Sequence, residues 1–184
     1  RSDLSFNNIN SQGPDFDDYA FEIVGGDSNY IKNNIFVANA AKAFSGTLSN
    51  PLFTISDYNN LVSNGPNIGF WNNTNYSDLP SWRTGTSFDL NSISVDPLFI
   101  SSTDLHVLAD TLNEAGIPIQ GIVVDFDGDL RDVINPDIGA DEIGTEVNDA
   151  GIIQALPEMP FARGLQDIKA IVRNYGSDTL ESAI

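Results

Sequence analysis

The sequence predicts an all-β fold in which short strands stack in regular layers. An Asn-Asn pair recurs at Asn7-Asn8, Asn33-Asn34 and Asn59-Asn60, each 26 residues after the last, and an aliphatic residue follows each pair. A fixed period of this length is typical of a stacked repeat. The residues around the pairs are β-branched and aromatic, and no apolar stripe with helical spacing frames them.

These features favour a right-handed parallel β-helix, in which each repeat forms one coil. Equivalent side chains would then stack about 4.8 Å apart along the axis. An Asn amide suits such a stack because it can donate to one neighbouring coil and accept from the other. We therefore expect residues 1–64 to hold the last three regular coils, with Lys32 at the position that Phe6 and Tyr58 occupy in the other two.

Three strands in each coil are expected from short β-like runs that end at turn residues. Residues 19–24 alternate and stop at Gly25-Gly26, residues 29–37 carry the second Asn pair, and residues 52–55 lead into the third. Pro14 and Pro51 fit the corners between strands, where no strand hydrogen bond is needed.

The composition excludes several classes of protein. The 184 residues include 26 acidic and 8 basic side chains, for a net charge of −18, and no Cys. The chain therefore lacks the basic face that nucleic-acid binding requires, and it can form no disulfide. It has no apolar run of about 18 residues, so direct membrane insertion is not expected. The carboxylates fit either a solvated acidic surface or an extracellular protein that binds Ca²⁺.

The chain begins at Arg1 within repeat-like sequence, without Met or a signal peptide. We therefore expect it to be an internal part of a longer protein.

Residues 65–91 are expected to form an inserted loop that breaks the repeat. Trp71, Tyr76 and Trp82 lie among several Asn residues and are candidate ligand-binding residues that would stack on a sugar. The alternative is that the insertion folds over the side of the coils and buries its own rings. Residues 77–82 predict one capped helical turn.

Residues 93–142 are expected to cover the open end of the coils. Within them, Asp125, Asp127 and Asp129 alternate around Gly128 and are candidate ligands of one Ca²⁺ ion, the only cofactor that the sequence suggests. The alternative is an Asp-rich turn whose carboxylates accept backbone N–H bonds and pair with Arg131.

A domain boundary is expected at residues 143–150, which are small and polar. Apolar and alternating runs follow at 152–156, 168–173 and 179–184. We interpret residues 151–184 as the first strands of an incomplete β-sandwich, since two or three strands cannot bury two sheet faces.

Four stretches resemble the C-terminal segments of parallel β-helix surface proteins of Bacteroidota-type bacteria. They are residues 92–99, 104–107 with 113–116, 125–131 and 136–142, and the resemblance as a whole covers about residues 5–142. Glu114 departs from the Ala that is commoner in that family. Residues 164–184 are similar to the opening of CARDB-like or immunoglobulin-like adhesive modules.

The resemblance implies an extracellular protein of the bacterial cell surface, exported by type IX secretion. It implies a non-enzymatic stalk or carbohydrate-binding segment, whose partners would be carbohydrate or other surface and secretion proteins. Asp110-Thr111-Leu112 and Asp178-Thr179-Leu180 also resemble the O-glycosylation sites of such bacteria.

The rival function is the C-terminal part of a β-helix polysaccharide lyase or glycoside hydrolase. A lyase needs a basic residue, for which the coils offer Lys32 and Lys42. A glycosidase needs two facing carboxylates, for which the candidates are Asp15, Asp17, Asp18, Glu22 and Asp57. The net charge would repel a polyuronate. The single His, His106, lies in an alternating run and is expected to be structural, so the sequence assigns no catalytic residue.

Overall fold

A computed structural model describes residues 2–13, 15, 18–25, 28–47, 54–144, 150–156 and 169–174. Strands are the main regular secondary structure of these residues and helix is scarce, which is consistent with the all-β class. In chain order the strands are β1 (Ser2–Ser5), β2 (Asn8–Ser11), β3 (Tyr19–Val24), β4 (Asn29–Lys32), β5 (Ile35–Ala38), β6 (Lys42–Thr47), β7 (Thr54–Asp57), β8 (Asn60–Ser63), β9 (Gly69–Trp71), β10 (Thr74–Tyr76), β11 (Ala150–Leu156) and β12 (Lys169–Asn174). One α-helix, α1 (Leu79–Thr86), and one 3₁₀ turn (Asp110–Leu112) complete the described elements.

The chain divides into two compact units, residues 1–143 and 144–184. The first unit contains three sheets with the strand orders β1-β4-β7, β2-β5-β8 and β3-β6-β9-β10. Every pair is parallel except β9 with β10. Consecutive strands thus enter different sheets, and each strand pairs with the one three places later. We call β1–β3, β4–β6 and β7–β9 the first, second and third layers.

The layers are not in the register that the Asn pairs predict. Asn7 lies beside Asn34, 27 residues on, and Asn34 lies beside Asn59, 25 residues on. The aligned corner residues are therefore Phe6, Asn33 and Tyr58, all with a positive φ of 56° to 57°. Lys32 instead pairs with Ser5 in β1 and Asp57 in β7, so its expected equivalence to Phe6 and Tyr58 was wrong.

The aligned amides form a hydrogen-bonded ladder through the layers. Asn7 Nδ2 donates to Asn34 Oδ1 (2.9 Å), and Asn34 Nδ2 donates to Asn59 Oδ1 (3.1 Å). Asn59 Nδ2 then donates to Asp89 Oδ1 (3.0 Å). Since a carboxylate only accepts hydrogen bonds, Asp89 ends the ladder without leaving an unpaired donor. Ser56, Ser92 and Trp82 also donate to this fully buried carboxylate.

The space between the three sheets is filled by aromatic and aliphatic side chains. The rings of Phe21 and Phe36 stack with centroids 5.0 Å apart, and Phe44 meets the edge of Trp82 at 5.2 Å. Such pairs add about 1 kcal/mol each beyond their buried area. Gly69 admits the indole, because a Cβ there would lie 2.6 Å from Trp82.

Residues 93–142, which we call the C-terminal segment, begin at the end of the layers, where Ile93 pairs in parallel with Asn60 of β8. The rest of the segment lies along the outer face of the sheet β2-β5-β8, so the expected cover of the layers is met only by its first residues. Its Val107, Leu112 and Ile138 are buried against Ile35 of β5. The strand β5 is consequently buried on both faces. The sequence favours this placement because the outward positions of β5 carry apolar side chains that must leave water.

Three outward-facing Asn side chains attach the C-terminal segment to the layers. Asn60 exchanges two hydrogen bonds with the backbone of Val95, and Asn33 exchanges two with Ile117. Asn8 donates to a carbonyl of the segment and accepts from Ala140 (2.9 Å). One residue of each Asn pair thus joins the ladder and the other holds the segment.

The segment 65–91 is only partly an insertion. Its strand β9 continues the third sheet by pairing in parallel with β6, which corrects the expectation of a loop outside the repeat. The predicted helical turn is confirmed as the start of α1. Asp78 accepts from the backbone N–H of Ser81 (2.8 Å), and the Ser81 hydroxyl accepts from the N–H of Asp78, which completes a capping box.

The second unit contains the antiparallel pair β11-β12, with a register irregularity between Ile152 and Gln154. The strand β11 begins at Ala150, the last residue of the expected linker. The described residues exclude most of the linker and, within the module-like stretch, residues 164–168 and 175–184, which include Asp178. The β-sandwich therefore stays a prediction. Among the described residues, no helix is long and apolar enough to cross a membrane.

Candidate functional site

A cavity of about 860 Å³ lies between the first layer and the C-terminal segment. One wall is formed by residues 5–9, at the corner between β1 and β2. The opposite wall combines residues 103–106, the region 122–126, Arg131, Ala140 and Asp141. Apolar walls with a few converging polar groups are typical of small-ligand sites, so this cavity is the candidate functional site.

A buried ion pair holds the wall of the cavity together. Arg131 Nη1 donates to Glu142 Oε2 (3.1 Å), with 3% of each side chain exposed. Arg131 also donates to the carbonyls of Gly139 and Ala140, and its guanidinium lies 3.9 Å above the ring of Phe6. Burial lowers the pKa of Arg131, and the adjacent carboxylates oppose that shift. This pair therefore joins the two motifs at 125–131 and 136–142.

The Asp125 carboxylate organises the turn that follows it. Its Oδ1 accepts the backbone N–H groups of Asp127 (3.0 Å), Gly128 (2.9 Å) and Asp129 (2.8 Å). Its Oδ2 accepts the N–H of Glu142 (3.0 Å). Four backbone donors thus surround one carboxylate, as the Asp-rich-turn alternative expected. Arg131, however, pairs with Glu142 rather than with this carboxylate.

His106 lies between two carboxylates at the edge of the cavity. Its Nδ1 contacts Asp104 Oδ1, and its Nε2 lies 2.8 Å from Asp127 Oδ2. The contact with Asp104 is the largest cause that raises the pKa of His106 to about 9. The imidazole is therefore a cation at neutral pH in this state. The structural role expected for His106 did not include its contacts with Asp104 and Asp127.

Asp141 completes a convergent group. One ligand atom from each of His106, Asp127 and Asp141 lies within 4.8 Å of the others, and this is the one such group of three among the described residues. Burial is the largest cause that raises the pKa of Asp141 to about 6, and the charge of His106 opposes it. The site thus combines the His106 imidazole, the Asp127 side chain and the Asp141 carboxyl, whose pKa is raised to about 6.

The expected Ca²⁺ set, Asp125, Asp127 and Asp129, is not brought together. The oxygens of Asp125 are occupied by backbone N–H groups, and Asp127 faces His106. Ca²⁺ takes six to eight oxygen ligands in most proteins. A calcium site formed by these three residues stays a prediction that the geometry does not favour.

The aromatic residues that were expected to stack on a sugar are partly buried by packing. Trp82 is fully buried, and its Nε1 donates to Asp89 Oδ2 (2.8 Å). Trp71 is 5% exposed and Tyr76 is half-buried, and both line a second cavity of about 460 Å³. The insertion therefore buries its indoles, as the alternative expected, and ligand binding stays a prediction for Trp71 and Tyr76.

The other candidate residues do not meet in a site. Asp57 accepts from the backbone and side-chain amides of Asn91 and caps that turn. Lys42 lies over the ring of Tyr19, 5.6 Å from its centroid, in the third sheet. Neither residue, nor Lys32, lines the cavity beside His106.

Sequence reasoning missed His106, Asp141 and Asp89. The spacing of Asp104 and His106 was a usable signal, because alternate residues of an extended segment point to the same side. Local sequence does not mark Asp89, because two of its four donors, Ser56 and Asn59, lie 33 and 30 residues before it.

Comparison of the chain with protein-family models, with curated proteins and with solved structures finds no match.

Proposed function

We propose that residues 1–142 form the C-terminal coils of a right-handed parallel β-helix, and that this rod is a non-enzymatic stalk or adhesive segment of a secreted bacterial surface protein. The observation that carries the proposal is the Asn ladder. It links three stacked layers by side-chain hydrogen bonds in addition to the backbone pairing of three parallel sheets.

A stack whose layers are joined by both backbone and side-chain hydrogen bonds is suited to bearing load along its axis. Neighbouring layers are tied at the corner by the ladder amides, and the outward Asn side chains tie each layer to the C-terminal segment. Removing one member of a buried amide network lowers the stability of the fold, because its former partner is left without a hydrogen bond. The net charge of −18 keeps such rods soluble and apart from one another.

Single-molecule pulling from the two ends of the chain tests the mechanical part of the proposal. If the layers unravel in turn, the extension should rise in steps of about 80–90 Å, since each layer spans 25 to 27 residues. Asn34→Ala should lower the unfolding force of the layers. Asn75→Ala, an exposed residue of β10, serves as the control. A featureless extension at low force would contradict a load-bearing role.

The location is tested on the bacterium that produces the protein. An antibody against residues 1–143 should label intact cells, and protease added to intact cells should remove the label. Signal that appears only after lysis would overturn the surface assignment.

A glycoside hydrolase is the second candidate, favoured by one observation. Asp127 and Asp141 present oxygens within 4.8 Å of each other at a cavity, and their environments differ, because the pKa of Asp141 is raised to about 6 while Asp127 contacts the His106 imidazole. Two carboxyl groups that face each other across a cleft can supply the acid and the base or nucleophile of a glycosidase. New reducing ends from a polysaccharide panel, lost in Asp141→Asn, would replace the stalk proposal. No turnover on any polysaccharide would exclude this candidate for the substrates used.

A further inference from the structure

The imidazole of His106 and the carboxylates of Asp127 and Asp141 converge from three separate parts of the C-terminal segment. We propose that they form a binding site for a divalent transition-metal ion of the Zn²⁺ class. The site shares only Asp127 with the calcium set that the Asp-rich sequence suggested, and it does not depend on the proposed stalk function.

The orientation of the imidazole is the first argument. Asp104 contacts Nδ1, so that Nε2 faces Asp127 at 2.8 Å. Metal-binding imidazoles usually present one nitrogen to the ion while the other donates to a carboxylate, a backbone carbonyl or water, and Asp104 provides such a carboxylate. Two ligands of a tetrahedral Zn²⁺ ion lie about 3.3 Å apart, given metal–ligand bonds of about 2.0–2.1 Å. Separating His106 from Asp127 by about half an ångström, with loss of the Nε2 proton, would therefore give these two groups the spacing of Zn²⁺ ligands, and Asp141 lies within 4.8 Å of both.

The ligand chemistry selects the class of ion. One nitrogen and two carboxylate donors suit Zn²⁺ and its neighbours, whereas Ca²⁺ and Mg²⁺ prefer oxygen ligands alone. The side chains of His106 and Asp127 are 40% and 43% exposed, so an ion can enter from solvent.

The surroundings supply the second argument. His106 and Asp141 line the cavity of about 860 Å³, so an ion held by three protein ligands would keep an open position toward a roomy space. A catalytic or ligand-binding zinc keeps such a position, whereas a structural zinc has four protein ligands. Asp104, Asp125 and the two carboxylate ligands also place negative charge around the site, which favours a cation over an anion.

Isothermal titration of chelator-treated protein with Zn²⁺ at pH 7.5 tests the proposal. We expect one saturable site. His106→Gln and Asp141→Asn should each weaken it at least 10-fold. Asp104→Asn, which changes the carboxylate that contacts Nδ1 and the backbone N–H of His106 but removes no proposed ligand, should weaken it about 10-fold. Asp110→Asn, an exposed carboxylate elsewhere in the segment, should leave the affinity unchanged. Far-UV circular dichroism and thermal melts of each variant separate loss of the site from loss of the fold.

Co²⁺ provides a readout that does not depend on any variant. A tetrahedral site should give intense visible absorption on Co²⁺ addition, which Zn²⁺ should abolish. Absence of saturable Zn²⁺ binding, equal affinity in His106→Gln (an adventitious ion only), or tighter binding of Ca²⁺ than of Zn²⁺ would each overturn the proposal.

Discussion

At the scale of single residues, the corners between the first and second sheets carry backbone strain. Phe6, Asn33 and Tyr58 all have left-handed backbone conformations. Asn tolerates this conformation, whereas other side chains pay roughly 1 kcal/mol because Cβ crowds the following carbonyl. The aromatic residues at two of the three corners therefore hold a conformation that their own preferences oppose.

Tyr58→Asn should stabilise the fold by about 0.5–1 kcal/mol, because Tyr58 is only half-buried and Asn already occupies the same corner of the second layer. Urea unfolding monitored by Trp fluorescence measures the change. Tyr58→Val removes the same ring but adds a branched Cβ, and should destabilise. Equal shifts in both variants would show that the ring, not the backbone, decides the effect.

Asp89→Asn should destabilise the first unit by about 2–3 kcal/mol. The new amide NH₂ would face either the Trp82 N–H or the Asn59 NH₂, whichever way it turns, and a buried donor would be left unpaired. Thermal and urea unfolding measure the loss, with Asp110→Asn as the exposed control. A change below about 0.5 kcal/mol would mean that the ladder does not require an acceptor at its end.

At the scale of elements, the C-terminal segment depends on one close approach. Gly139 has a φ of +121°, and a Cβ there would lie 2.7 Å from Asn8 Oδ1 and 2.8 Å from Ile35 Cδ1. A small residue is therefore required here. These contacts are with the first and second layers, through β2 and β5.

Gly139→Ala should destabilise the chain by about 3 kcal/mol, from backbone strain together with the clash against Asn8. Hydrogen exchange should speed up first in residues 93–142. Gly121→Ala, at a φ of +90° with open space around it, carries the strain without the clash. Equal losses in the two variants would argue against tight packing of the segment on the layers.

The features that could be predicted from the sequence are those set by neighbouring residues. The strand at Tyr19–Val24 follows from alternation, and the start of α1 follows from the cap that Asp78 provides. The register could not be read, because each Asn pair offers two candidates for the ladder and the corners differ in length. His106 and Asp127 are 21 residues apart, so their contact depends on how the segment folds back.

At the scale of the whole first unit, titration of buried carboxyls should make stability depend on pH. Burial is the largest cause that raises the pKa of Asp137 to about 6. The backbone N–H groups of Glu114 and Ile143, which donate to this carboxyl, oppose the rise. A carboxyl with a raised pKa binds its proton more tightly in the folded state. Its stabilising contribution is therefore complete below the unfolded pKa, about 4, and is lost as the pH rises through about 6.

We expect the free energy of unfolding to be lower at pH 8 than at pH 5, with about 1 kcal/mol of the difference due to Asp137. Asp137→Asn should lower stability at both values, since an amide accepts only one of the two N–H bonds, but it should flatten the pH dependence. Asp110→Asn, an exposed carboxylate, should keep the wild-type slope. The readout is the change in the free energy of unfolding with pH, not its absolute value. A variant that is less stable but equally pH-dependent would therefore contradict the assignment. In that case Asp137 would be ionised throughout this range, held by its two backbone donors.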